Sequence, residues 1–173
     1  ADLLAYSTTA RTSLLRSRVD PATRAAVASV DGVVAVGGLG SLQVAARPST
    51  DPDTRELIST VLLGYELAPS GLPSTPPPKG SVFADSTVTA SGVGVGDTLL
   101  MGPTRVPVKV IGLVDDTRLS GQASLWGSLE TWRAIAQATR PGQFDDTSVQ
   151  ALVIRTAGGA EKRVEVGAGV IGN

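Results

Sequence analysis

Residues 80–116 read GSVFADSTVTASGVGVGDTLLMGPTRVPVKVIGLVDD, and several signals of local structure lie close together in them. Its short apolar run 81–84 meets Asp85, whose carboxylate can accept hydrogen bonds from the first free N–H groups of a helical turn. These residues therefore predict a strand that leads directly into one turn of helix, at 86–91, with Asp85 as its cap.

The second half of the same stretch predicts a β-hairpin. Glycine adopts positive φ at little steric cost, so three closely spaced glycines predict a tight reversal in which Asp97 fixes the turn. These glycines are Gly92, Gly94 and Gly96. The apolar residues 99–101 and the β-branched run 106–113, separated by Gly102-Pro103, then predict two paired strands. The whole stretch is interpreted as a structural platform.

The composition excludes several classes of function. The chain has 173 residues, of which 42% are hydrophobic and 18% charged, and its formal net charge is -1. Domains that bind nucleic acid carry a basic surface, so nucleic acid is not an expected partner. Phe, Tyr and Trp occur only twice each, so aromatic platforms for bases or sugars are not available in number.

Cysteine and histidine are both absent. Their absence excludes thiol nucleophiles, disulfides, Cys/His zinc sites and catalysis by imidazole. A serine nucleophile would need lysine as its base, and Lys79, Lys109 and Lys162 do not lie in a Ser-x-x-Lys pattern. We therefore expect no enzyme activity, no catalytic residue, no bound cofactor and no metal ligand.

Two further patterns are interpreted as turn chemistry. The glycine-rich residues 92–97 precede a strand, whereas a phosphate cradle needs a helix after it. The pairs Asp115-Asp116 and Asp145-Asp146 lack the spaced ligands of a calcium loop. An enzyme with a carboxylate pair remains an alternative, and it requires two carboxyl groups that face each other in a cleft.

The chain before the central stretch predicts strands and one short helix. Residues 2–7 predict a strand, followed by a polar connection at 8–18. Asp20-Pro21 predicts an N-cap and first helical position, with an Ala-rich helix over 22–30. A further strand is predicted within 57–67.

Glycines separate two β-like runs in this first part of the chain. The runs are 33–36 and 42–46, and Gly37-Gly38 and Gly40-Ser41 lie between them. This pattern suits a bulged long strand or a hairpin, and we prefer a hairpin or a bulge.

Residues 69–80 read PSGLPSTPPPKG and predict a semi-rigid extended connector, because proline disfavours both helices and inner strands. We interpret residues 69–79 as a surface crossover between two closely joined lobes. An alternative is a proline-rich ligand for an SH3-type partner, but the usual flanking basic residues are missing. The segments 1–68 and 80–156 would form the two lobes of one domain spanning residues 1–173.

The last third of the chain predicts strand, helix and strand. A strand at 123–126 leads to Ser128 as N-cap of a helix over 129–139. A strand in which apolar and polar residues alternate follows at 148–156. The apolar face of this helix consists of Leu129, Trp132, Ile135 and Ala136, and we interpret Trp126 and Trp132 as anchors of the helix on the sheet. Residues 157–173 are not assigned. The predicted fold class is α+β, with a mixed or antiparallel sheet and few helices.

The sequence contains no run of about 18 uncharged apolar residues. Its start, Ala1-Asp2-Leu3, has neither a methionine nor the pattern of a signal peptide. We therefore expect this chain to be a piece of a larger protein whose targeting or membrane segments lie outside it.

Four motifs, in this order, resemble the extracytoplasmic core domain of MacB/FtsX-type ABC transporter permeases. They are VDGV at 30–33, GSVFAD at 80–85, VGDTL at 95–99 and VKVIGLV at 108–114. Ser124-Leu125-Trp126 before a helix and a returning strand at 149–155 extend the resemblance over most of residues 2–156. The connector departs from the longer version in MacB, in which a further subdomain is inserted.

The resemblance implies a non-enzymatic domain that follows the first transmembrane helix of a permease and faces the periplasm or the cell exterior. Such permeases act with a cytoplasmic ABC ATPase and transmit its cycle across the membrane. The implied partners are this ATPase, the flanking transmembrane helices, a second permease copy and an extracytoplasmic protein. The alternative from the residues alone is a free-standing solute- or lipid-binding module, which predicts a concave apolar pocket.

Overall fold

The computed structural model describes residues 2–7, 17–69, 71–117, 121–157 and 168–171. These residues form nine strands, two α-helices and one 3₁₀ helix. The strands are β1 Asp2–Ser7, β2 Val33–Pro48, β3 Ile58–Tyr65, β4 Ser81–Asp85, β5 Thr98–Met101, β6 Val106–Val114, β7 Ala123–Ser128, β8 Ala151–Thr156 and β9 Ala168–Ile171. The helices are α1 Pro21–Ala28 and α2 Leu129–Thr139, and the 3₁₀ helix is Ser86–Ser91.

All nine strands belong to one mixed sheet in the order β3-β7-β4-β6-β5-β2-β8-β1-β9. Because β2 also pairs with β3, the strands β2, β3, β7, β4, β6 and β5 close into a ring. The pairs β3–β7 and β4–β6 are parallel, and the other pairs are antiparallel. The predicted α+β class with a mixed sheet is therefore confirmed. Segments 1–68 and 80–156 both contribute strands to the ring, and their division into two lobes stays a prediction.

Strand β2 is shared between the ring and the outer part of the sheet. Along one edge, residues 39–46 pair with β3; along the other, residues 33–39 pair with β8 and residues 46–48 with β5. The runs 33–36 and 42–46 thus belong to one continuous strand. Of the two alternatives, the bulged long strand is confirmed and the hairpin is wrong. The bulge lies at the start of β2, between Val33 and Ala35.

The glycines of β2 serve close packing rather than a chain reversal. Trp132 of α2 is fully buried, and its ring covers Gly40 while its Cβ lies against Gly64 of β3. The indole N–H of Trp132 finds no hydrogen-bond partner among the described residues. Packing alone therefore holds this side chain, and the predicted role of Trp132 as an anchor of α2 is confirmed.

The ring is filled by its own side chains. Every strand of the ring contributes fully or nearly fully buried apolar residues to one core: Leu42, Val44, Ala46, Leu62, Val82, Ala84, Leu99, Met101, Val108, Val110 and Leu125. Small barrels of this kind have interiors just wide enough for side chains. The ring therefore encloses a packed hydrophobic core rather than a ligand-binding cavity.

The outer face of β3 and β7 carries a second apolar cluster. Tyr65 and Trp126 meet edge to face, with ring centroids 6.2 Å apart, and Leu39, Val61 and Leu63 join them. The Tyr65 hydroxyl donates a hydrogen bond to the carbonyl of Pro73 at 3.1 Å. The proline-rich connector, which contains no helix or strand in its described residues, thus covers this cluster.

Most local predictions are confirmed. Asp20 caps α1 and Ser128 caps α2 through hydrogen bonds from the backbone N–H groups of Thr23 and Thr131. The β5–β6 hairpin forms as predicted, and α2 has the predicted bounds. The polar connection 8–18 lies mostly outside the described residues. No helix in the described ranges is both long and apolar enough to cross a bilayer.

Strand β8 differs from the prediction in its start and in its pattern. It begins at Ala151, and residues 151–154 are all buried, so the expected alternation with a polar face is wrong. Gln150, just before the strand, is also buried. Its Oε1 accepts hydrogen bonds from the backbone N–H of Ser41 at 2.6 Å and from the Ser41 hydroxyl at 3.0 Å. Gln150 therefore occupies the edge of β2 between the parts paired with β8 and β5.

We expect Gly40→Ala to lower the free energy of unfolding by about 1–3 kcal/mol, because the new methyl group would overlap the Trp132 ring. Gly94→Ala is the matched control: its Cβ would enter open space apart from Asp97 Oδ2 at 4.0 Å, so we expect a change within about 0.5 kcal/mol. Urea unfolding monitored by circular dichroism measures both. Equal effects of the two substitutions would contradict the packing role of Gly40.

Candidate functional site

The connections that join the strands of the ring meet at one end. Strands β2, β4 and β6 run towards this end, because β2 and β6 are each antiparallel to β5, and β4 is parallel to β6. The three connections that leave them are 49–57, 86–97 and 115–122. We call their described parts the distal pole, since β1 begins and β8 and β9 end at the opposite end of the sheet.

Asp85 organises the distal pole. Its buried carboxylate accepts hydrogen bonds from the backbone N–H and the hydroxyl of Thr87. Its other oxygen accepts from the backbone N–H of Thr117 at 2.9 Å and from the Thr117 hydroxyl at 2.7 Å. Thr117 Oγ1 also accepts from Ser124, whose oxygen accepts from the indole N–H of Trp126 at 2.7 Å. One carboxylate thus ties two pole connections to β7.

The electrostatics of Asp85 follow from these contacts. Burial alone would raise the pKa of the carboxyl group, but the four hydrogen bonds from Thr87 and Thr117 stabilise the ionised form and lower the pKa to about 2. Asp85 is therefore ionised throughout the physiological pH range. All four donors come from the protein, so the arrangement is that of a structural cap rather than a general acid or base.

The remaining turn residues of the pole behave largely as predicted. Asp97 accepts a hydrogen bond from the backbone N–H of Gly94 at 2.8 Å and so fixes the turn. Gly92 and Gly96 adopt positive φ, at 77° and 94°. Gly94 does not, which corrects the expectation that all three glycines would do so.

Two open grooves lie at the pole. The first, which we call the pole groove, has a volume of about 500 Å³ and is lined by residues 57–59, 87–91 and 121–123. The second has a volume of about 280 Å³ and is lined by Asp85, Ser86, Thr87, Asp115 and Asp116. Nothing in the sequence singles out Leu57 or Gln122, because a groove between the starts of two strands depends on how those strands pair.

The other candidate groups lie in a turn or at exposed positions. The Asp145 carboxylate accepts hydrogen bonds from Thr147 and Ser148 and fixes a turn, far along the chain from Asp115-Asp116. Within the described ranges, no three Asp, Glu, His or Cys side chains are arranged to hold a metal ion. Lys79 forms an exposed ion pair with Glu130 at 3.5 Å, and Lys109 is exposed on β6. Lys162 lies outside the described residues.

The fold is that of the extracytoplasmic domains found in ABC transporter permeases of the MacB type. No protein-family model and no curated protein sequence matches the chain. The similarity to these domains therefore rests on solved structures. Because the sequence identity between this chain and those structures is low, the similarity concerns the fold alone.

One similar structure is the periplasmic region of MacB from Actinobacillus actinomycetemcomitans. It matches with a TM-score of 0.64 at 12% identity, over 98% of this chain and 87% of that one. Another is the extracellular domain of the ABC-type transporter YknZ from Gram-positive bacteria, with a TM-score of 0.59 at 14% identity, over 95% of this chain and 88% of that one. The resemblance inferred from the four motifs is thus confirmed at the level of the fold.

The Asp85 contacts predict a specific dependence of stability on pH. Because the folded-state pKa of about 2 lies below the ordinary aspartate pKa of 3.8, the stabilisation is complete above the unfolded-state pKa and is lost as pH falls from there to about 2. We expect Asp85→Asn to lower the free energy of unfolding at pH 7 by about 1 kcal/mol or more, allowing for solvent beside the exposed neighbouring loop. The difference from the wild type should shrink towards pH 2.

Denaturant unfolding between pH 2 and pH 7 measures this difference. Thr117→Val, which removes one donor to the carboxylate, should produce a smaller loss of the same kind. Ser86→Ala lies in the same turn but leaves all four donors in place, so it should follow the wild-type curve. A constant difference between Asp85→Asn and the wild type over the whole pH range would contradict the role of the ionised carboxylate.

Proposed function

We propose that this chain is the extracytoplasmic domain of a MacB/FtsX-type ABC transporter permease. In this role it has no enzyme activity of its own. It couples the cycle of a cytoplasmic ATPase to export or to another event outside the cytoplasm. The observation that carries the proposal is the likeness of fold to the MacB and YknZ domains over nearly the whole chain.

The position of the outer strands supports this proposal. Strands β1 and β9 are antiparallel neighbours, with Leu4 opposite Ile171, so β1 begins where β9 ends. A domain inserted between two membrane helices needs its two ends close together, and these strands satisfy that need. The distal pole then points away from the membrane.

The packing of the ring supports a mechanical role rather than a transport path through the domain. Each ring strand fills the interior with apolar side chains, and close-packed interiors transmit displacement with little compression. Strand β2 runs through both the ring and the outer sheet. A movement applied near β1 and β9 would therefore reach the pole through continuous strand pairing.

The proposal names four kinds of partner. The full-length permease supplies the flanking transmembrane helices and the contact with the cytoplasmic ATPase, and a second permease copy completes the transporter. The distal pole is the surface available to an extracytoplasmic protein. The domain itself would lie at the cell membrane, on its periplasmic or outer side.

The alternative, a free-standing solute- or lipid-binding module, has less support. It requires a concave apolar pocket. The interior of the ring is filled, and the pole groove is open and lined by both apolar and hydroxyl-bearing residues.

Spin-label distances in the full-length protein, purified with its ATPase in lipid nanodiscs, test the proposal. This chain has no cysteine of its own, and Val34 and Val95 are 63% and 61% exposed at opposite ends of the sheet. We expect labels on Val95→Cys in the two permease copies to change their separation when ATP is added. The distance between Val34→Cys and Val95→Cys within one copy should stay constant, because the domain moves as a rigid body.

The control is an ATPase variant that binds but does not hydrolyse ATP. With this variant and ATP, the distance between the Val95→Cys labels of the two copies should take a single value. The proposal would be wrong if the full-length protein had no segment long enough to span a bilayer on either side of this domain. The rigid-body mechanism would be contradicted if ATP changed the label distance within one domain by as much as it changed the label distance between the two copies.

A further inference from the structure

The pole groove carries an apolar side chain that the fold leaves uncovered. Leu57 is 46% exposed at the start of β3, where it lines the groove together with the partly buried Ile58. Val88 of the 3₁₀ helix closes the floor, since it is buried and also belongs to the main core. A bound molecule can therefore contact apolar side chains at the open surface of the groove, while the buried Val88 connects the groove lining to the main core.

The groove also holds a polar group without a partner. Gln122 precedes β7, and its Oε1 is buried without a hydrogen-bond partner in the described part of the protein. Leaving a buried acceptor unpaired is energetically unfavourable. The terminal torsion of glutamine is broad and roughly two-fold, so the amide can turn its oxygen towards a donor in the groove. Gln122 is thus poised to accept a hydrogen bond from a bound molecule.

The lining limits the chemistry of that molecule. Residues 57–59, 87–91 and 121–123 include no charged and no aromatic side chain. An anionic or cationic ligand would find no counter-charge there, and a sugar or base would find no ring to stack on. A lipid chain would leave the Gln122 amide oxygen unsatisfied. An uncharged polypeptide segment combines apolar side chains with backbone N–H donors and matches both features.

We propose that the pole groove binds a short, uncharged, extended peptide segment of a partner protein. An apolar side chain of the segment lies on Leu57, and one of its backbone N–H groups donates a hydrogen bond to the Gln122 amide oxygen. The volume of about 500 Å³ lies in the range of small-ligand sites. This inference rests on the proposed function, in which the distal pole contacts an extracytoplasmic protein, and it states the chemistry by which the pole recognises that partner.

An NMR titration of the 173-residue chain tests the inference with N-acetyl-leucyl-alanine N-methylamide as the probe. Amide shifts should be confined to residues 57–59, 87–91 and 121–123. The analogue in which every backbone nitrogen is methylated should bind about fivefold more weakly, since it loses a hydrogen bond of about 1 kcal/mol. Monodecanoylglycerol serves as the lipid probe and should leave the groove signals unchanged.

Two variants separate recognition from a structural role of Gln122. Gln122→Met should abolish the difference between the two peptides while leaving the free energy of unfolding equal or slightly higher, because an unpaired buried acceptor is removed. Gln143→Met, at an exposed position outside the groove, should keep the fivefold difference.

The inference would be overturned by an absence of groove shifts, by equal binding of the two peptides to the wild type, or by groove shifts with the lipid alone. A Gln122→Met variant that still distinguished the peptides would also overturn it. None of these outcomes bears on the proposed permease role, which is tested by the ATP-dependent label distances.

Discussion

Strand β2 pairs along both of its edges, and this pairing determines how the other strands are arranged. One edge is held by β3, and the other is held in turn by β8, by the side chain of Gln150 and by β5. This arrangement closes the ring and joins it to the outer strands. It also requires Gly40 in the middle of the strand, because the Trp132 ring fills the space that a side chain would need.

The same constraint connects the two ends of the molecule. Among the described residues, the outer strands β1, β8 and β9 join the ring by strand pairing at the first half of β2, and the second half continues towards the distal pole. There the ionised Asp85 holds the connections around Thr87 and Thr117 together. A packed ring with fixed pole connections supports the proposed passage of a displacement from the outer strands to the pole.

The sequence predicted the features that are decided locally. Asp20, Asp85 and Ser128 act as caps because a side-chain oxygen needs only N–H groups two or three residues away. The hairpin between residues 33–36 and 42–46 was wrong because glycine marks both turns and close approach, and only the distant Trp132 decides between them. Two other features were not predictable for the same reason. One is the closure of the ring through the parallel β3–β7 pair, and the other is the pole groove; both depend on contacts between residues that are far apart in the sequence.

We expect the ring and the outer strands to unfold as one cooperative unit, because β2 belongs to both. Native-state hydrogen exchange under increasing denaturant measures this directly. We predict that the amides of β2 paired with β8, such as those near Val36, and those paired with β3, near Leu42, exchange with the same free energy as global unfolding. Two separate free energies, one for each half of the strand, would contradict the claim and would favour two lobes that open independently.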